Sequence, residues 1–119
     1  MKINELPLDR QWEYLLDKLQ HLLDGKRPND VNAVLFLIGV QELGQGASME
    51  FSKEQKQDLM HIATCKLLSY AGIYELDGQD QEGWPLWVLA QPLPHLDLEG
   101  QENLLKMHAI EYFEELELF

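Results

Sequence analysis

Four side chains of types that bind metal ions lie on two segments expected to be helical. His61 and Cys65 are four residues apart, which puts them on one face of a helix, and Asp58 lies one turn before His61. Imidazole, thiolate and carboxylate groups all bind zinc, and a site needs three or four of them. His108, on the last predicted helix, could complete the set if the two helices lie side by side. The sequence therefore allows a metal site at Asp58, His61, Cys65 and His108.

The same residues also have a structural interpretation, which we favour. Cys65 is then a small core side chain, His61 a boundary residue and His108 a surface residue. Cys65 could act as a nucleophile with His61 as its base, but an apolar helix interior raises the pKa of a thiol. The sequence contains none of the motifs of nucleotide binding, serine hydrolysis or zinc peptidases. We therefore expect no cofactor, and a non-enzymatic role fits the sequence better than an enzymatic one.

Aromatic residues gather in a segment that has the pattern of a β-hairpin. Tyr74, Trp84 and Trp87 lie within 14 residues of one another. If they are exposed, they form a recognition surface, because Trp and Tyr dominate the energetics of protein interfaces. If they are buried, they attach the hairpin to the helices. Both alternatives remain open from the sequence.

The acidic charge is concentrated in the last third of the chain. Residues 75–119 contain one Lys and eleven Asp or Glu, a charge of -10 out of -12 for the whole chain. Glu111, Glu114 and Glu115 approach the C-terminus of the last predicted helix, where the helix dipole disfavours negative charge. These carboxylates either meet a basic patch, on a partner, on a second copy or at Lys26 and Arg27, or are screened charges on a fraying end.

One apolar segment organises the predicted helices. Residues 31–40 read V-N-A-V-L-F-L-I-G-V, in which Asn32 is the only polar residue. A surface helix would show a polar face, so we expect this helix to be buried in the centre of the domain. Gly39 costs about 1 kcal/mol relative to alanine in a helix, and close approach of a neighbouring helix would explain its presence.

The other elements follow from periodicity and capping residues. Leucines at steps of three and four predict a first helix from Leu8, with Asp9 as its cap and Gly25 at its end. Ser52 and Gln55 form a capping box for the third helix, which Gly72 ends. Strands are predicted at 73–76 and 84–89 around a polar loop at 77–83, and a last helix from the cap Asp97 to near Leu118.

This order predicts a compact, mostly α domain of four helices with a small β-hairpin between the third and fourth helices. The outline is that of a winged-helix domain, in which three helices precede a wing, and a four-helix bundle with a hairpin insertion is the alternative. The chain of 119 residues fits one domain, residues 1–119. A single cysteine and the absence of an apolar leader predict a cytoplasmic protein.

These observations favour a protein-interaction or regulatory module, which could form a homo-oligomer. Its expected surface consists of the hairpin aromatics and the acidic last helix, and its expected partner is a protein with a basic surface. The acidic charge opposes binding to nucleic acid and to anionic membranes. The alternatives are a metal-binding helical protein, an acidic winged-helix-like domain, or an acidic domain that imitates DNA.

Overall fold

Four helices and a two-stranded antiparallel hairpin between the third and fourth helices make up the fold, which confirms the predicted mostly α class. The structure is a computed structural model and describes residues 5–44 and 50–117. The elements are α1 (Leu8–Leu22), α2 (Val31–Leu43), α3 (Lys53–Ser69), β1 (Tyr74–Gln79), β2 (Pro85–Leu89) and α4 (Leu98–Glu115). The described residues fall into two compact units, one within Met1–Val31 and Leu96–Phe119 and the other within Asn32–His95. The assignment of residues 1–119 to one domain stays a prediction.

The first unit pairs α1 with α4. Its buried apolar side chains come from one face of each helix, and they are Trp12, Leu15, Leu16, Leu19, Ala109, Ile110, Tyr112 and Phe113. Lys106 of α4 places its ammonium group 5.5 Å from the centre of the Trp12 ring. The other face of α1 has exposed polar residues, among them Glu13, Asp17 and Lys18, so the helix is amphipathic as predicted.

Two ends of these helices differ from the sequence prediction. The residue preceding α1 is Pro7, whose fixed φ suits a helix start, and no side chain caps this end. Asp9 was predicted as the cap, but it lies in the first turn and accepts a hydrogen bond from the Arg10 N–H at 3.0 Å. At α4, the predicted cap is confirmed, because an Asp97 carboxylate oxygen accepts a hydrogen bond from Gly100 N–H at 2.7 Å. That helix ends at Glu115, and Leu118 lies outside the described residues.

In the second unit, α2 packs closely against α3 at a glycine. Gly39 is buried, and a Cβ atom built on it would lie 2.6 Å from the carbonyl carbon of Leu59 and closer still to its oxygen. The predicted close approach at Gly39 is therefore confirmed. Along α2, Val34, Leu35 and Ile38 are buried, whereas the remaining apolar residues of the central stretch are partly exposed except Val31.

The capping signals predicted for α3 are confirmed. Ser52 Oγ accepts from the Gln55 N–H at 3.1 Å, and the Gln55 side chain accepts from the Ser52 N–H at 2.9 Å. Gly72 adopts φ 75°, and the N–H of Ile73 then donates to the Leu68 carbonyl at 3.1 Å. This C-terminal motif turns the chain directly from α3 into β1.

The first strand of the hairpin is longer than predicted, the second begins one residue later than predicted, at Pro85, and the turn is shorter. β1 continues through Gln79 because a bulge between Leu76 and Gln79, with Gly78 at φ 78°, keeps it paired with β2. The turn is held by Asp80, whose carboxylate oxygen accepts from the N–H groups of Glu82 and Trp84, both at 2.9 Å. The first three residues of the predicted seven-residue loop, 77–79, thus belong to β1, and Asp80 stabilises the compact turn that follows.

Candidate interaction surface

The pair His61 and Cys65 forms a contact, as predicted for residues one turn apart. Cys65 Sγ lies 3.5 Å from His61 Nε2, and the thiol is fully buried. Burial raises the pKa of the Cys65 thiol from 9.0 to about 11, so the thiol is protonated at neutral pH. This opposes a role as nucleophile. The exposed His61 ring packs edge to face with Tyr74, with ring centres 6.4 Å apart, which fastens β1 to α3.

The metal site predicted at Asp58, His61, Cys65 and His108 stays a prediction. Within residues 5–44 and 50–117, no group of three or more His, Cys, Asp or Glu side chains is arranged to hold a metal ion. Asp58 is exposed, and within the described residues it makes no hydrogen bond to His61 or Cys65. His108 was expected at the surface in the structural interpretation, but it is buried, with Nδ1 3.2 Å from a Glu111 carboxylate oxygen.

The three hairpin aromatics are neither fully exposed nor fully buried. Tyr74, Trp84 and Trp87 are all half-buried, so they both anchor the hairpin and offer an edge to solvent. The indole Nε1 of Trp87 is buried and has no hydrogen-bond partner among the described residues. Because an unsatisfied buried donor costs stability, Trp87 anchors the hairpin at some cost in hydrogen bonding.

Aliphatic side chains, rather than aromatic ones, dominate the exposed surface of the hairpin. Leu76, Leu86, Val88 and Leu89 are between 43% and 58% exposed, and we call these four residues the aliphatic hairpin surface. The strand register divides them between the two faces of the hairpin, with Leu76 and Leu89 on one face and Leu86 and Val88 on the other. Both faces of the hairpin therefore expose large apolar side chains, and exposed apolar area favours a role in binding. Sequence reasoning missed these residues because it ranked Trp and Tyr first. The signal was present in the five uncharged residues of β2, P-L-W-V-L, which have no polar residue for a solvent face.

Carboxylates lie beside these apolar side chains, in a segment of the sequence that contains no Lys or Arg. Glu75, Asp77, Asp80 and Glu82 are all exposed on β1 and the turn. Residues 67–105 contain seven Asp or Glu and no Lys or Arg. The hairpin therefore combines exposed aliphatic area with a uniformly negative rim.

The acidic end of α4 is also accessible. Glu111, Glu114 and Glu115 are exposed, and the last turn of the helix has no basic residue. Arg27 was one predicted partner for these carboxylates, but its guanidinium instead binds Glu13 and Asp17 of α1. These two carboxylates raise the pKa of Arg27, chiefly through the hydrogen bond to Asp17. The carboxylates at the end of α4 are thus not neutralised by Arg27.

Comparison with known proteins gives no match, since no family model, curated protein or solved structure is similar to this chain. Among the described residues, no helix is both long enough and apolar enough to cross a membrane. Inferences about function therefore depend on the geometry and charge of the two surfaces described above.

Proposed function

We propose that this protein is a non-enzymatic, cytoplasmic interaction or regulatory module whose partner is a protein with a basic surface. The observation that carries the proposal is the aliphatic hairpin surface, four exposed apolar side chains within a segment that contains seven acidic and no basic residues. Apolar area supplies affinity when it is covered, and a negative rim selects a positively charged partner and accelerates its association.

The acidic end of α4 is the second contact region of the proposal. Glu114 and Glu115 lie at the negative end of the helix dipole, which costs a few tenths of a kcal/mol for each exposed charge. A basic partner would reverse this cost, because its cations would interact favourably with both the carboxylates and the dipole. The two regions belong to different units of the chain, so each is tested by its own variant.

The proposal is tested by quantitative affinity capture from the native host with three variants of the full chain. Leu76→Ser with Leu89→Ser changes the hairpin, and Glu114→Lys with Glu115→Lys changes the end of α4. The control, Glu50→Lys with Glu54→Lys, makes the same change of charge at exposed residues outside both regions. All variants are first compared by circular dichroism and thermal unfolding.

We expect one or more partners to be recovered with wild type and control, and to be depleted with the hairpin variant, the α4 variant or both. The captured partners should have basic surfaces, and their recovery should fall at high salt. Equal recovery with all four proteins would show that neither region binds a partner. A shift of the wild-type protein to a dimer, lost in either variant, would instead indicate that the regions bind a second copy.

A further inference from the structure

The hydrogen bonds of the hairpin reveal which backbone groups of β2 point away from β1. Ala90 N–H donates to the Ile73 carbonyl at 2.8 Å, and the Trp84 carbonyl accepts from Asp80 N–H at 2.9 Å. In an antiparallel pair, the backbone N–H and C=O groups of every second residue point towards the partner strand, so in β2 those of the even-numbered residues point towards β1. Trp87 and Leu89 therefore direct their N–H and C=O groups outward, and no hydrogen bond joins these groups to another part of residues 5–44 or 50–117.

The two edges of the hairpin differ in their protection against another strand. β1 carries the charged residues Glu75 and Asp77 and a bulge, both of which discourage pairing at an edge. β2 has no charged side chain, and its only protection is Pro85, which lacks an N–H at the start of the strand. Exposed Leu86, Val88 and Leu89 make β2 an apolar edge strand with available donors and acceptors.

The charge distribution around this edge selects the sequence of an added strand. Glu75 pairs with Val88 in the hairpin, so its carboxylate and the Val88 side chain are on the same face. A strand added beside β2 would lie about 10 Å from β1, twice the spacing between neighbouring strands. Lys or Arg side chains at this distance can lay their aliphatic stems across Val88 and reach Glu75 with their charged ends.

We propose that the outer edge of β2 binds an extended segment of a partner protein in which basic residues alternate with apolar residues. The basic side chains lie on the face of Val88 and Glu75, and the apolar ones lie beside Trp87 and Leu89. Main-chain hydrogen bonds to Trp87 and Leu89 supply affinity, and the alternation supplies specificity. This inference rests on the proposed function and names the partner's local structure.

The test uses a nine-residue peptide of alternating lysine and valine with blocked ends, titrated into the full chain. One control peptide alternates glutamate with valine. The other has the same lysine and valine residues arranged in two blocks. Binding is measured by fluorescence anisotropy at low and high salt, and by hydrogen exchange of the backbone amides. Protection of the Trp87 and Leu89 amides on adding the alternating basic peptide is expected, and this readout needs no variant.

A proline at an outward-pointing residue provides a variant that is specific to the edge. Leu89→Pro removes the outer donor of β2 but none of its hydrogen bonds to β1, since Leu89 faces away from β1. Leu89→Ala is the matched control, because it shortens the side chain and keeps the N–H. Loss of one hydrogen bond predicts about a fivefold weaker binding for Leu89→Pro than for Leu89→Ala. Glu75→Lys should also weaken binding and reduce its salt dependence.

Several results would overturn the proposal. Equal binding of the block peptide would exclude the requirement for alternation, and equal binding of the glutamate peptide would exclude the selection of basic side chains. Unchanged protection of the Trp87 and Leu89 amides would exclude the edge of β2 as the binding site. A wild-type dimer in sedimentation equilibrium that becomes monomeric with Leu89→Pro would assign the edge to a second copy. If partner capture from the host is lost with Glu114→Lys and Glu115→Lys but unaffected by Leu89→Pro, the edge proposal fails while the proposed function stands.

Discussion

Replacing Gly39 with alanine tests the close packing of α2 against α3. Alanine is the better helix former by about 1 kcal/mol, so helix propensity alone predicts that Gly39→Ala stabilises α2. The packing predicts the opposite. The new methyl group would lie 2.6 Å from the carbonyl carbon of Leu59, where ordinary contacts begin at 3.4 Å, and the Leu59 backbone cannot rotate away as a side chain could.

The size of the effect follows from this geometry. Restoring an ordinary contact with the carbonyl carbon requires α2 and α3 to separate by about 0.8 Å, the difference between 3.4 and 2.6 Å, and the closer carbonyl oxygen requires a larger separation. A gap of 0.5–1 Å forfeits a quarter to a half of the dispersion energy of the atoms along it, and overpacked cores lose about 1–3 kcal/mol. Because backbone atoms are involved, we expect the upper end of this range. After subtraction of the propensity gain, the variant should be destabilised by about 2 kcal/mol.

Urea unfolding followed by circular dichroism measures this difference, and thermal unfolding should show a decrease in Tm of about 6–10 °C. Gln41→Ala is the control, because Gln41 is exposed on the same helix, and its effect should stay within about 0.5 kcal/mol. An unfolding free energy for Gly39→Ala equal to or above that of wild type would refute the reasoning, since propensity would then outweigh the contact with Leu59.

Three further predictions concern the candidate sites. Burial raises the pKa of Cys65 from 9.0 to about 11, which stabilises the folded state below pH 9. This contribution of about 2–3 kcal/mol should be lost as the pH rises to 11. The stability of Cys65→Ala should therefore fall less over that range than the stability of wild type. Asp80→Ala should destabilise the hairpin by about 1–2 kcal/mol because it removes two hydrogen bonds in the turn. Asp80→Asn keeps an acceptor oxygen and should lose less stability. Equal losses of unfolding free energy, measured by urea unfolding, would assign the effect to charge. Elemental analysis of purified protein should find no stoichiometric metal. One equivalent of zinc that is lost in His61→Ala would instead support the metal site predicted from the sequence.

The sequence was sufficient for features governed by local chemistry. The capping box of Ser52 and Gln55, the cap at Asp97 and the glycine end at Gly72 all depend on residues within one turn of each other, so their patterns predict them directly. Gly39 was also interpretable, because its cost in a helix demands an explanation. Which part of Leu59 it contacts could not be predicted, since that depends on the register of two helices along each other.

The sequence was less informative about exposure on the hairpin. Alternation along β2 divides its side chains between two faces, but it does not determine how far α3 covers the face of Trp87 and Leu89. In the structure, Trp87 is half-buried whereas Leu89 is 56% exposed, although both are odd-numbered residues of one strand. Ranking residues by type thus favoured the aromatics, whereas the exposed area belongs largely to aliphatic residues beside them.

The same hairpin also explains why an external strand is a more reasonable partner than a second copy. A sheet of two strands is marginally stable by itself, so a third strand would gain from satisfying the outward groups of Trp87 and Leu89. A second copy would supply an identical apolar strand, but it would also bring its own Asp80 and Glu82 and a further net charge of -12. Like charges brought together oppose association, whereas a basic strand covers the same apolar area and reduces the repulsion already present on the hairpin. The backbone geometry alone would accept either partner, and the balance of charge favours the proposed basic strand over a second copy.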